Sequence, residues 1–197
     1  MKYGICNEIF QNWSLEKIFS FISQLGYTGL EIAPFTFGDS VVDVTSKTKE
    51  EIKNFAQKYK VDIIGAHWLL AKREGLSLSS KDSTIRKKTA DYLSSLAEFT
   101  SDLGGELMVL GSPKQRNISS DQTLNEVKEY VKEGLMPALD ICKSKGIDIC
   151  LEPLTQNETN FINTAQEAIE FIEEVSHPSL KLHLDVKAMT VETKSVP

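Results

Sequence analysis

Hydrophobic and polar positions follow two rhythms along this chain, and the rhythms take turns. Short apolar or β-branched runs at Tyr3 to Cys6, Gly29 to Ala33, Val61 to His67, Leu107 to Leu110, Ile147 to Leu151 and Leu180 to Leu184 read as strands. Between them the apolar positions change to helical spacing. Ser14 caps a helix that presents Leu15, Ile18, Phe19, Ile22 and Leu25 and stops at Gly26. Thr48 with Glu51 predicts a capping box for a helix burying Ile52, Phe55, Ala56 and Tyr59. A third helix, from about Asp82 to Leu103, carries Tyr92, Leu93, Leu96 and Phe99 and gives way to Gly104-Gly105. Thr123 with Glu126 opens the fourth, which runs toward Lys145 and Gly146, with Pro137 expected to kink or split it. Thr164 with Glu167 opens the fifth, through Ala168, Ile169, Ile172 and Val175, ending near His177-Pro178.

Six strands separated by five helices, with connections too long for hairpins, predict a parallel sheet of βαβ units. Strict alternation leaves two α/β architectures. An open doubly wound sheet advertises a glycine-rich phosphate turn after its first strand, and here that position is Asn7-Glu-Ile-Phe. A (β/α)8 barrel instead places chemistry at the C-terminal ends of several strands, so the barrel is the expectation. Such a barrel has eight strands and about 250 residues. The 197 residues are therefore expected to form a single, incomplete barrel domain with about six of the eight βα units, and Thr190 to Pro197 reads as a loop and the start of a sixth helix.

Composition narrows the partners. At 41% hydrophobic the chain can bury a core, and its 28 acids against 22 bases give a formal charge of −6, which offers no basic face for nucleic acid. Cys6, Cys142 and Cys150 are far apart and in no metal-ligand spacing, so they read as reduced thiols. No apolar run reaches signal-peptide or membrane-spanning length, and the expected address is cytoplasmic with no membrane partner.

The stretch that carries chemistry is Ile147 to Glu158. A strand ends in Glu152, Pro153 ends the ladder, and Glu158 follows six residues later. Leu180-Lys-Leu-His-Leu-Asp185 repeats the pattern one strand on. Two acids at the mouths of neighbouring strands suit one divalent cation, and Glu152 suits a general acid or base. His67 and Trp68 end strand three, where either a pocket wall or a packed pair accounts for them. Glu31, ending strand two, faces the pocket or pairs with a base. On strand six, alternation puts His183 one layer below Asp185, inside the barrel, as a packed or supporting histidine rather than a ligand. Lys114 and Arg116 read as members of a polar loop, and Trp13 as either a lid or a staple.

With Gly29-Leu-Glu-Ile, Gly65-Ala-His-Trp, Leu110-Gly-Ser-Pro-Lys-Gln-Arg, Leu151-Glu-Pro and Leu182-His-Leu-Asp on successive strand ends, the chain resembles the xylose isomerase-like TIM barrels. Within them it is most similar to the sugar phosphate isomerases/epimerases, including ketose 3-epimerases of the D-tagatose and D-psicose type. The resemblance implies a metal-dependent isomerase or epimerase acting on a sugar or sugar phosphate by proton transfer beside a ketose carbonyl. It implies a divalent ion (Mn, Mg or Co, with Zn possible) held by Glu152 and Asp185, with a ligand histidine and a second glutamate beyond Pro197. Glu158 would bind substrate hydroxyls, and a homodimer is a possible assembly. The family's substrate-binding histidine three residues after the ligand Asp is Ala188 here, which leaves the sugar open, and Lys187 beside it offers a cation for a phosphate or acidic sugar. The alternatives are a non-catalytic barrel fragment and an apurinic-site endonuclease; against the latter, the chain has three histidines and ends strand four in Leu-Gly-Ser, where a three-zinc cluster requires a histidine.

Overall fold

The computed structural model describes residues 2–190 and 192, so most of the tail expected to start a further helix lies outside the described residues. Among them, six strands form one sheet in chain order: β1 (Gly4–Cys6), β2 (Gly29–Ile32), β3 (Asp62–Ala66), β4 (Leu107–Leu110), β5 (Asp148–Leu151) and β6 (Leu180–Leu182). Every neighbouring pair is parallel. Five helices, α1 (Leu15–Gln24), α2 (Ser46–Tyr59), α3 (Ser83–Asp102), α4 (Leu124–Lys145) and α5 (Ala165–Val175), connect them, and the single-turn α6 (Val186–Met189) follows β6.

The caps explain where the helices begin. Ser14, Thr123 and Thr164 cap α1, α4 and α5 as expected, the last two through complete capping boxes, and Asp82, near the expected start of α3, caps it. Helix α2 differs. Thr45 is its cap, accepting the Thr48 N–H at 3.1 Å, so Thr48 and Glu51 lie inside the helix, one turn later than expected. Thr45 carries the same hydroxyl one turn earlier, and the longer helix wins.

Two further expectations give way to packing. Helix α4 runs unbroken through Pro137: the ring removes one N–H from the ladder, but Leu135, Ala138 and Leu139 are all fully buried around it, and α3 packs along it. In α5 the buried stripe is Ala168, Phe171 and Val175, while Ile169 stands 38% exposed. Residues three and seven apart share a face, whereas 168 and 169 point about 100° apart.

Parallel pairing keeps partnered residues on one side of the sheet, and alternation sorts them into two faces. Leu30, Ile32, Met108, Leu110, Ile149 and Leu151 form the helix-facing side, buried with Phe19, Leu96, Leu139 and Phe171 in one core. The other side runs through Cys6, Glu31, Gly65, Cys150 and Lys181 across five strands. Leu107 and Val109 of β4 share this side, and its C-terminal rim holds the candidate chemistry.

Gly65 is required by a close approach rather than by its dihedral angles: a Cβ there would strike the backbone of Leu107 on β4. Gly65→Ala is expected to destabilise the chain by about 3 kcal/mol. Urea denaturation checks this, and an unchanged midpoint would mean that β3 and β4 can part without loss.

Candidate active site

Glu152 sits one residue beyond β5, where its N–H still donates to the Leu110 carbonyl at 3.1 Å before Pro153 ends the ladder. Its side chain lies against Gly111, at which a Cβ would collide with the carboxylate. The residue is 7% exposed, yet among the described residues no hydrogen bond reaches its carboxylate, and the nearest cationic group is His183 Nε2, 3.8 Å from Oε1. Burial raises its pKa; His183, His67 and Arg116 work the other way, and the nearby Asp185 charge adds to the rise.

Glu152 opens onto a cavity of about 320 Å³ whose wall also includes Asp185, Glu158, His67, Trp68, His183, Lys187 and Glu8. That volume is in the range of small-molecule sites. Asp185 is both a wall and the N-cap of α6, its Oδ1 accepting the Lys187 N–H at 2.9 Å. The two acids predicted from neighbouring strand ends thus face one space. Two wider grooves of about 870 Å³ exist, one adjoining through Glu8 and Trp68 and one among the N-terminal ends of β1 to β4, but neither reaches Glu152 or Asp185.

The remaining walls are held by short polar contacts. Glu158 Oε2 accepts from the Thr155 hydroxyl at 2.9 Å and its Oε1 from Lys187 Nζ at 2.8 Å, and the lysine holds its carboxyl below the usual range. Lys187 is therefore paired within the site. Trp68 adopts φ +58°, unusual for a bulky residue, which swings its half-exposed ring into the wall, stacked 5.9 Å from the His67 ring. Glu31 does not line the cavity; its Oε2 lies 3.0 Å from His67 Nδ1. Burial opposes a charge on His67, but the Glu31 contact prevails and its pKa is raised.

His183 is not packed away from the cavity: its N–H donates to the Leu151 carbonyl, its ring faces the cavity with its side chain 33% exposed, and its Nε2 lies 3.8 Å from Glu152 Oε1, the place of the supporting rather than the packed histidine of the two expected. β6 stops at Leu182, two residues short of its expected end. Arg116 is also no surface-loop residue. It is 1% exposed, and its Nη2 donates to the Glu152 backbone carbonyl at 2.8 Å. Glu8 lines the cavity unforeseen, although an acid just after β1 is where a barrel mouth lies. Trp13 packs with Phe10 and Phe21, as a staple does, while also edging the adjoining groove. Ala188 is buried in α6 and sends nothing into the cavity.

The family model described as xylose isomerase-like TIM barrel matches residues 19–194. The chain belongs to the xylose isomerase-like TIM barrels. Within this family it is 27% identical over 203 residues to a D-psicose 3-epimerase of Ruminiclostridium cellulolyticum, covering 100% of this chain and 66% of that protein, and so spans just under two thirds of that relative. It is 24% identical over 201 residues to a fructoselysine 3-epimerase of Escherichia coli O157:H7, covering 70% of it. The solved structure of D-psicose 3-epimerase with D-tagatose from Clostridium cellulolyticum H10 superposes with a TM-score of 0.84 at 25% identity, over 100% of this chain and 67% of that one. The parallel barrel-type sheet, inferred from the absence of a glycine-rich turn and the acidic strand ends, is thus the family's fold. No helix among the described residues is long and apolar enough to cross a membrane.

Proposed function

We propose that the chain serves a metal-dependent ketose epimerase or isomerase, in which Glu152 moves the proton on the carbon beside the ketose carbonyl. The observation that carries this is a buried carboxylate that accepts no hydrogen bond from the described residues, with His183 Nε2 3.8 Å away, facing a cavity shared with a second carboxylate from the next strand. The likeness to ketose 3-epimerases over the whole chain supports it.

Glu152 and Asp185 fit a divalent cation: both offer oxygens, which suit hard ions such as Mn, Mg or Co and tolerate Zn, and among the described residues no hydrogen bond satisfies the Glu152 carboxylate. When bound, such an ion supplies Lewis-acid polarisation of the sugar's oxygens. The chain's own residues do the rest. Burial keeps Glu152 a stronger base than a solvated carboxylate, as proton removal from a carbon acid requires. Glu158, fixed by Thr155 and Lys187, presents acceptor oxygens to sugar hydroxyls. Trp68 and His67 supply a flat wall for the sugar face.

The cavity also argues for a neutral ketose over a phosphorylated one. Four carboxylates, Glu8, Glu152, Glu158 and Asp185, line it against one lysine, which is already bound to Glu158. A phosphate dianion would meet that field unfavourably. Unphosphorylated ketoses are expected to bind more tightly than their phosphates, with Lys187→Gln leaving the ratio nearly unchanged. Competitive binding assays check this, and a selective loss of phosphate binding in Lys187→Gln would assign the lysine to the phosphate.

The defining test is proton exchange into a panel of ketoses in deuterated water with Mn2+, followed by NMR, on this chain and on one extended to the length of its relatives. Exchange at the carbon next to the carbonyl is expected from the extended chain. No exchange from either across the panel would favour a non-catalytic role.

A further inference from the structure

The polar rim carries a second cluster of metal-type ligands, on β1 to β3. Cys6, Glu31 and His67 each offer one ligand atom, and the three atoms lie within 4.8 Å of one another. Nothing in the sequence spacing joins them. The sheet does: Cys6 pairs with Glu31 across β1 and β2, and a register shift after Leu30 sets Glu31 opposite Gly65, with His67 two residues further along on the same side. Bulges of this kind re-aim side chains next to sites.

We propose that Cys6, Glu31 and His67 bind a thiophilic divalent cation such as zinc, at a site separate from the one assigned to Glu152 and Asp185. The ligand chemistry separates the two. A thiolate, an imidazole and a carboxylate form the mixed S, N, O set that zinc accepts, whereas an oxygen pair favours a harder ion. The 3.0 Å between His67 Nδ1 and Glu31 Oε2 is close to the spacing of two ligands on one small ion. All three residues are partly buried, so the ligands are held in place rather than freely solvated. Three protein ligands would leave a fourth position for water or another donor, and of the three only His67 also walls the 320 Å³ cavity.

The surroundings favour a cation. Glu8 adds a further negative charge beside Cys6 and His67. Without metal, burial pushes the Cys6 thiol up to about 12, so coordination would have to displace its proton. On binding, the S–H bond is replaced by a sulfur–metal bond and the thiol proton passes to solvent. His67 must present the Nδ1 lone pair and carry its proton on Nε2, so the bond to Glu31 gives way to shared coordination.

Cobalt distinguishes this site from the other, because only a thiolate ligand gives an intense near-ultraviolet charge-transfer band. Titrating Co2+ into the full chain is expected to produce that band, saturating at one equivalent and removed by competing Zn2+. Cys6→Ser should abolish it and Glu31→Gln should weaken binding at least tenfold, while Cys150→Ser and the double variant Glu152→Gln/Asp185→Asn should keep it. Absence of the band in the parent chain, or its survival in Cys6→Ser, overturns the proposal. Loss of the band in the Glu152/Asp185 variant also overturns it, since the thiolate would then belong to the other ion. Should Cys6→Ser fail to fold, as judged by circular dichroism, Glu31→Gln and Cys6→Ala decide by the same readout. The epimerase reading fails on a different observable, deuterium exchange, so the two outcomes are separable.

Discussion

Glu152→Gln is expected to lower ketose proton exchange by about a thousandfold in the extended chain while leaving the folded protein at least as stable as the parent. The loss follows from removing the proton acceptor, because positioned general bases contribute about 10² to 10⁴ in rate. The gain in stability follows from its surroundings. Burial raises the Glu152 pKa, so the folded state holds this proton more tightly than the unfolded chain does. An acid shifted upward favours folding most when pH lies below its unfolded value, and that advantage disappears as pH rises through the raised one. At neutral pH in metal-free buffer, ionised Glu152 therefore destabilises the fold, and a neutral amide of the same shape relieves this. Thermal melts at neutral pH should show an equal or higher midpoint for the variant, converging with or falling below the parent in acid. A lower midpoint at neutral pH would mean that His183, His67 and Arg116 together outweigh the burial of the carboxylate. Unchanged exchange would move the base to another residue.

Much of this was legible in the sequence, for identifiable reasons. Strand-helix alternation is local: period-two runs, helical stripes and the Ser14, Thr123 and Thr164 caps fix elements from a few neighbouring residues. Glu152 and Asp185 were legible because a barrel places strand ends together, so an acid at the same place on successive strands needs no further information to converge. What failed depends on three-dimensional neighbours. Pro137 stays in a continuous helix because α3 holds α4, and Ile169 faces out because Phe171 fills the core better. β6 ends two residues early because its pairing with β5 stops at Leu151 and Leu182. Cys6, Glu31 and His67 follow one another at separations of 25 and 36 residues in the chain and meet only through the sheet register.

Arg116 is the residue whose role was least readable and whose replacement is the most informative. A guanidinium that is 1% exposed is expensive to keep, and Arg116 keeps it with one hydrogen bond, from Nη2 to the Glu152 carbonyl; Nε and Nη1 have no partner among the described residues. Burial brings its pKa down to about 10, still well above neutrality, with the Glu152 and Glu158 charges opposing the fall. The charge is retained at neutral pH, and its single bond fixes the backbone that aims Glu152. Arg116→Met fills nearly the same volume without the charge. Its stability is expected to stay within about 1 kcal/mol of the parent, because a buried, poorly paired charge replaced by an apolar chain is often neutral or better. Exchange activity should nonetheless fall by about a hundredfold, the scale of an ångström-level misplacement of a catalytic group. The loss should fall on kcat with KM nearly unchanged, since Arg116 is absent from the cavity wall, and Arg116→Lys should recover part of it by restoring one donor to the carbonyl. Arg116→Ala, which adds a cavity to the carbonyl that the methionine variant also leaves without this donor, should instead cost about 3 kcal/mol. A methionine variant with full kcat would reduce Arg116 to a structural filler, whereas a rise in KM alone would place it in contact with substrate.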